Sequence, residues 1–174
     1  MRMNKSDRND ARGLAEIVRM GWYSEAKVKS MERRQVHATL TARAKLVDLR
    51  RDIENQIRGL LKSLGIVIGK AGTKAFPARV AAILHEAAHL RPLIEPLLQA
   101  HSALIAQVLK YDGQLNDVAK SDQTIRRLMT VPGVGPITAL AFASTVDDPS
   151  RFKRASDVGA YLGLSITVAI SVDF

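Results

Sequence analysis

From Lys29 to Leu64 the chain repeats a single pattern. Val36, Leu40, Leu46, Leu49, Ile53, Ile57, Leu60 and Leu64 fall mostly three or four residues apart, with Arg, Lys, Asp and Glu filling the positions between them. That period lays the apolar side chains along one face of an α-helix and gives the other faces to water. A second stretch, about Leu93 to Lys120, carries Leu97, Leu98, Leu104, Ile105, Val108, Leu109, Leu115 and Val118. Gly65, Gly69 and Gly72 end the first helix, and a turn or flexible loop runs through Pro77. A shorter helix, Arg79 to Leu90, links the two long ones through Val80, Ile83, Leu84 and Ala87, and Pro92 and Pro96 mark a break and a restart. Two long helices joined in this way pack antiparallel as a stalk of coiled-coil character.

The remainder reads as helix too. Aromatic residues are 5% of the chain and few segments alternate with the period of two that strands need. Asn9 or Asp10 caps a first helix over roughly Ala11 to Met20, with Leu14, Ile17 and Val18 on one face, Gly21 closing it, and Trp22 and Tyr23 in a connector. Ser121-Asp122 caps a helix from Gln123 to Thr130. "VPGVGPITAL", Val131 to Leu140, bends the chain into a partner helix from Pro136 to Thr145. "VDDPSRF" is a loop, Ser156 to Leu162 a final short helix, and the closing "SITVAISVDF" changes abruptly to a β-branched apolar run. The expected fold class is all-α: a long antiparallel helical stalk over residues 23–121 plus a small helix-hairpin-helix domain over residues 122–174.

Charge narrows the function. Lys and Arg number 26 against 17 acids, a net +9, which favours a polyanionic partner, nucleic acid or an anionic membrane face, over a merely solvated basic surface. No cysteine is present, so disulfides and thiolate metal sites are excluded, and a cytoplasmic location fits. No apolar run is long enough to span a bilayer, and "MRMNKSDRNDARG" is too polar for a secretory signal.

The Pro-Gly-x-Gly-Pro corner is the strongest candidate for chemistry. Glycines at 133 and 135 can adopt backbone angles that other residues avoid and carry no side chain to block close approach. The following helix then opens with bare N–H groups at its positive dipole end, a site suited to a phosphate. This is the logic of a helix-hairpin-helix, whose contacts go to the backbone and carry no sequence preference. Pro132, Gly133, Val134 and Gly135 form the grip, and Arg126, Arg127, Arg151, Lys153 and Arg154 add phosphate contacts. A plain structural corner between two helices is the alternative.

Asp7 and Asp10, in "KSDRNDA", stand three apart and share a helix face if the helix begins by Asp7. They are candidate Mg²⁺ ligands or helix caps, and two acids fall short of two-metal phosphoryl chemistry. His85 and His89 have a metal-compatible spacing but no third ligand, and with His37 and His101 they read as surface or interfacial histidines.

Together these motifs resemble the DEDD-type insertion-sequence transposases of the IS one-ten group. "KSDRNDARGLAEIVRMGW" is similar to the closing acidic segment of that family's RuvC-like domain. "LMTVPGVGPITALAFASTVDDPSRFKRASDVGAYLGL" is similar to the core of its C-terminal domain, the two being separated by a coiled coil. The resemblance implies a RuvC-like remnant over residues 1–22, DNA transposition and recombination as the activity, DNA and a structured guide RNA as partners, oligomers held by the stalk, and Mg²⁺ at the acidic cluster. Asp7 and Asp10 match the last two acids of the catalytic set. The first Asp and the Glu have no counterpart, and Ser171 lacks the following glycine and basic neighbours of the family's nucleophilic serine. An inactive remnant of a transposase gene is therefore expected, with a free-standing nucleic-acid-binding module as the alternative.

Overall fold

The structure, a computed structural model, describes residues 7–22 and 28–163. Every regular element within them is helical: α1 Asp7–Arg19, α2 Met31–Ser63, α3 Phe76–Glu86, α4 Arg91–Ser121, α5 Gln123–Leu128, α6 Pro136–Val146 and α7 Ala155–Tyr161, with single 3₁₀ turns at Ala88–Leu90 and Pro149–Arg151. The chain is all-α, as its periodicity indicates. Ser171 and the β-branched run that contains it lie outside the described residues, as do Lys5 and Tyr23.

Local chemistry explains where α2 begins and ends. The Ser30 hydroxyl accepts the N–H of Arg33 at 3.3 Å, capping the start. At the other end Gly65 takes φ +81°, its N–H reaches the Lys62 carbonyl and the Ile66 N–H reaches the Leu61 carbonyl. This pair of bonds is a Schellman stop, which a residue with a side chain would strain. Over 33 residues the helix is about 50 Å long at 1.5 Å per residue.

The break and restart expected at Pro92 and Pro96 do not occur there. The chain breaks earlier, at Ala87 with φ −113° and ψ 64°, and the Ala88–Leu90 turn leads straight into α4. Pro92 then sits in the first turn of α4, where a missing N–H goes unnoticed. Pro96 lies inside the same helix, which absorbs the loss of one hydrogen bond and continues. Likewise Pro77 opens α3 rather than closing the preceding loop, so that helix begins at Phe76 instead of Arg79. The break at Ala87 also takes His89 off α3, so His85 and His89 do not share a helix face; both are exposed.

The stalk is an antiparallel pair with two apolar ends and a polar waist. At one end Ile57, Leu61, Ile68, Phe76, Val80, Leu84, Leu90 and Ile94 form a core between α2, α3, α4 and the connecting loop. At the other, Val36 and Leu40 of α2 pack against Leu115 and Ala119 of α4 and against Ile125, Ala139, Leu140 and Ala143 of α5 and α6. Between them Arg43 pairs with Asp112, and Glu54 accepts from Arg50 at 2.9 Å and meets His101 Nε2 at 2.9 Å. As α2 advances eleven residues from Arg43 to Glu54, α4 retreats eleven from Asp112 to His101, the signature of antiparallel helices in fixed register. The apolar stripe skips from Leu40 to Leu46 because Arg43 occupies the seam there. Polar residues at a seam specify register, since a slipped pairing would leave them without partners. His101 is fully buried, with its ring 5.5 Å from that of Phe76 and its Nδ1 making no hydrogen bond.

Candidate nucleic-acid interface

α5, the turn after it and α6 form the corner that the Pro-Gly-x-Gly-Pro sequence announces. Asp122 starts it. Its Oδ1 accepts the N–H groups of Thr124 at 2.7 Å and Ile125 at 3.2 Å, and its Oδ2 pairs with Arg33 of α2 at 2.9 Å. Burial works against its charge, but the N–H groups of Ile125 and Thr124 and the Arg33 guanidinium outweigh it, and the pKa falls below the usual aspartate value. The same carboxylate thus caps α5 and ties it to the stalk.

A second joint fixes α6. Lys29 Nζ donates to the Ser144 carbonyl at 2.9 Å, and Ser30 donates its N–H to Asp147 Oδ2 at 3.0 Å and its hydroxyl to Oδ1 at 3.3 Å. Asp147 ends α6 with φ 59° and ψ −79°, a positive-φ conformation near that of the rare, strained γ-turn. The start of α2 and the end of α6 therefore hold each other. Sequence periodicity gave no sign of this joint, because its partners lie more than 110 residues apart.

Within the turn the two glycines do different things. Gly133 has φ +84°, so glycine is required there by backbone conformation, although a Cβ would meet nothing within 4 Å. Gly135 has φ −87° and ψ 174°, ordinary extended backbone of the kind a following proline imposes, and a Cβ there also meets open space. The expectation that both glycines serve backbone angles therefore holds for Gly133 alone. Gly135 is the N-cap of α6 and no side chain caps it. The Val134 N–H turns back to the Val131 carbonyl at 3.0 Å, while the first helical bond runs from the Ala139 N–H to Gly135 at 2.9 Å. The N–H groups of Ile137 and Thr138, in the first turn of α6, have no intrahelical partner and point outward from its positive end.

Val134 and Ile137 press inward on the core around Leu115, Ile125 and Leu140, while Pro132 and Gly133 are exposed. Arg126 and Arg127 lie exposed in the last turn of α5, directly before the bend. Leu128, Val131, Val134, Thr138, Ala139 and Phe142 line an open apolar cleft of about 220 Å³ beside it. Arg151 is half-buried, its guanidinium 5.1 Å from the Phe152 ring centre and 4.8 Å from that of Tyr161. Two aromatic faces hold it in place. Lys153 and Arg154 are exposed, and the Arg154 N–H donates to Asp157 Oδ2 at 3.0 Å to start α7.

Asp7 and Asp10 stand in the first turn of α1, exposed to solvent. Among the described residues no group of three or more His, Cys, Asp or Glu side chains gathers around a point that would hold a metal. Two carboxylates are fewer ligands than a two-metal centre needs. No helix among the described residues is long and apolar enough to cross a membrane.

Comparison with known proteins shows what this corner is similar to. Residues 125–173 match the family described as Transposase IS116/IS110/IS902. The chain is 33% identical over 172 residues to the transposase for insertion sequence element IS1111A of Coxiella burnetii, covering 94% of this chain and 46% of that protein. It is 28% identical over 166 residues to a probable family 20 transposase of Pseudomonas aeruginosa, covering 92% and 49%. It is 27% identical over 167 residues to the transposase for insertion sequence element IS1328 of Yersinia enterocolitica, covering 94% and 49%. The chain thus spans just under half the length of these curated relatives. No solved structure matches it. Nearly the whole chain is therefore similar to insertion-sequence transposases, and its residues 125–173, which include the corner, match the Transposase IS116/IS110/IS902 family.

Proposed function

We propose that this chain is the DNA-holding part of an insertion-sequence transposase, with the α5–α6 corner acting as a helix-hairpin-helix on the phosphate backbone. The observation that carries this reading is the uncapped start of α6: two outward N–H groups, at the positive end of an 11-residue helix, beside a turn whose Gly135 leaves open space. Arg126, Arg127 and Lys153 add charge from exposed positions, and Arg151 is pre-oriented by its aromatic neighbours. Contacts of this kind grip a duplex without reading its bases.

In the whole transposase the function is transposition of DNA by strand cleavage and rejoining, assisted by a structured guide RNA and by oligomers formed along the stalk. Asp7 and Asp10 are then Mg²⁺ ligands that need further carboxylates to act. The residues of this chain bind DNA and do not cut it by themselves. The test has two arms. Binding of labelled duplex should weaken steeply as salt rises, because phosphate contacts release counterions; binding that ignores salt refutes the corner as a phosphate grip. Supercoiled plasmid carrying element ends, incubated with Mg²⁺, should stay intact. Nicking that disappears in Asp7→Asn and Asp10→Asn would show instead that two acids suffice.

A further inference from the structure

We infer that the far tip of the stalk, around Lys62, Lys70, Lys74 and Arg79, is a second clamp on duplex DNA, separate from the α5–α6 corner. Between Glu54 and Glu86 the chain contains no acid and five cations, Arg58, Lys62, Lys70, Lys74 and Arg79, so this segment supplies five of the nine net positive charges. Elsewhere the structure pairs cations with acids: Arg33 with Asp122, Arg43 with Asp112, Arg50 with Glu54. At the tip the four named side chains are exposed and form no ion pair with any described residue.

The loop that presents them is held from beneath. Arg58 reaches out from α2, donates to the carbonyls of Ile68 at 2.9 Å and Gly69 at 3.3 Å, and lies 5.0 Å from the Phe76 ring centre. Arg50 donates to the Thr73 hydroxyl at 2.6 Å. Arg79 packs against Gly69, where an added Cβ would come within 3.1 Å of its guanidinium. Ile68 and Phe76 anchor the loop in the core around Ile57, Leu61 and Val80. Arg58 is therefore the internal support, and the other four cations face outward from an ordered platform. Like charges gathered without a counter-charge repel one another, a cost that a polyanion relieves.

Spacing favours DNA as that polyanion. Val36 of α2 packs in the same core as the corner, and Lys62 ends the same helix. The 26 helical rises from Val36 to Lys62 put the tip about 40 Å from the base of the stalk, close to one duplex turn of about 34–36 Å. A continuous duplex can engage both ends of one rigid hairpin. Choosing DNA over another polyanion rests on the function proposed above.

The test uses the full chain and labelled duplexes of about 24 and about 8 base pairs, roughly 80 and 27 Å long, of which only the longer can bridge the two ends. Replacing Lys62, Lys70 and Lys74 with Gln should weaken binding of the longer duplex by more than about tenfold at low salt. It should also flatten the salt dependence by about two to three phosphate contacts. Lys→Arg at the same three positions should restore both. Helix content and Tm should not change, since all three side chains are exposed. An unaltered affinity and slope in the Gln variant would overturn the tip clamp. So would an effect of equal size on the shorter duplex, tighter lysine-dependent binding of a structured RNA hairpin, or lysine-dependent binding of phosphatidylserine vesicles. The two sites fail separately: if Gly135→Ala abolishes binding and the lysines have no effect, the corner stands and the tip falls, whereas the opposite pattern keeps the tip and removes the corner.

Discussion

Gly133 and Gly135 give a test that separates folding from binding within three residues. At Gly133 the backbone angle of +84° lies where an L side chain is strained, so Gly133→Ala costs about 1–2 kcal/mol although no neighbour clashes. For a chain of this size that lowers Tm by roughly 2–4 °C per kcal/mol. At Gly135 the angles of −87° and 174° suit alanine. Alanine there is a poorer N-cap than glycine, a cost of a few tenths of a kcal/mol, and it stiffens the unfolded chain, a gain of about 0.4–1 kcal/mol. The two offset, leaving stability within about 0.5 kcal/mol of the parent. Yet it adds a methyl group at the N-cap itself, in open space beside the helix start, where a phosphate oxygen must come within about 3 Å of the N–H groups of Ile137 and Thr138 to bond. Gly135→Ala should therefore leave the thermal unfolding curve in place while weakening duplex binding by about tenfold or more. Circular dichroism melts and fluorescence anisotropy on the same preparations read the two effects. If Gly135→Ala binds duplex as tightly as the parent, the start of α6 is not the phosphate site, whatever Gly133→Ala does.

Other expectations follow from the packing. Asp122 has a folded pKa below its unfolded value of about 3.9, so its stabilising contribution is complete above about pH 4 and fades as pH drops through the folded value. Asp122→Asn keeps the cap but loses the charge, so urea titrations at several pH values should show the stability difference between the two proteins closing below pH 4. Glu54→Ala removes the partner of both Arg50 and the fully buried His101, and should cost about 1.5–3 kcal/mol in urea unfolding; a cost under about 0.5 would mean that the polar waist does not hold the stalk. Leu140→Ala empties part of the core joining the corner to the stalk and should cost about 2–5 kcal/mol, weakening DNA binding only as far as the corner unfolds.

The residue order was enough to establish the helical class, the two long stalk helices to within two residues at most ends, and the bend at residues 131–136. All of these depend on local periodicity or on glycine and proline, whose effects act within a turn or two. Prolines misled where their position within a helix matters more than their presence: Pro92 and Pro77 sit in first turns that do not use their N–H. The glycine pair looked equivalent because sequence shows what a residue permits, and only the backbone angles show which freedom is used.

Tertiary structure alone decided how distant segments meet. Arg43 opposite Asp112, Glu54 against His101, Ser30 and Lys29 on the end of α6, and Arg33 on Asp122 each join residues that no local pattern connects. The acid-free run from Asn55 to His85 was present in the sequence as a charge imbalance. It became a surface only when Arg58 and Arg50 pinned its loop to the stalk and left the remaining cations outward. Periodicity dictates which face of a helix is buried, because that depends on neighbours three and four residues away. It does not dictate what covers that face, because that depends on the whole chain closing on itself.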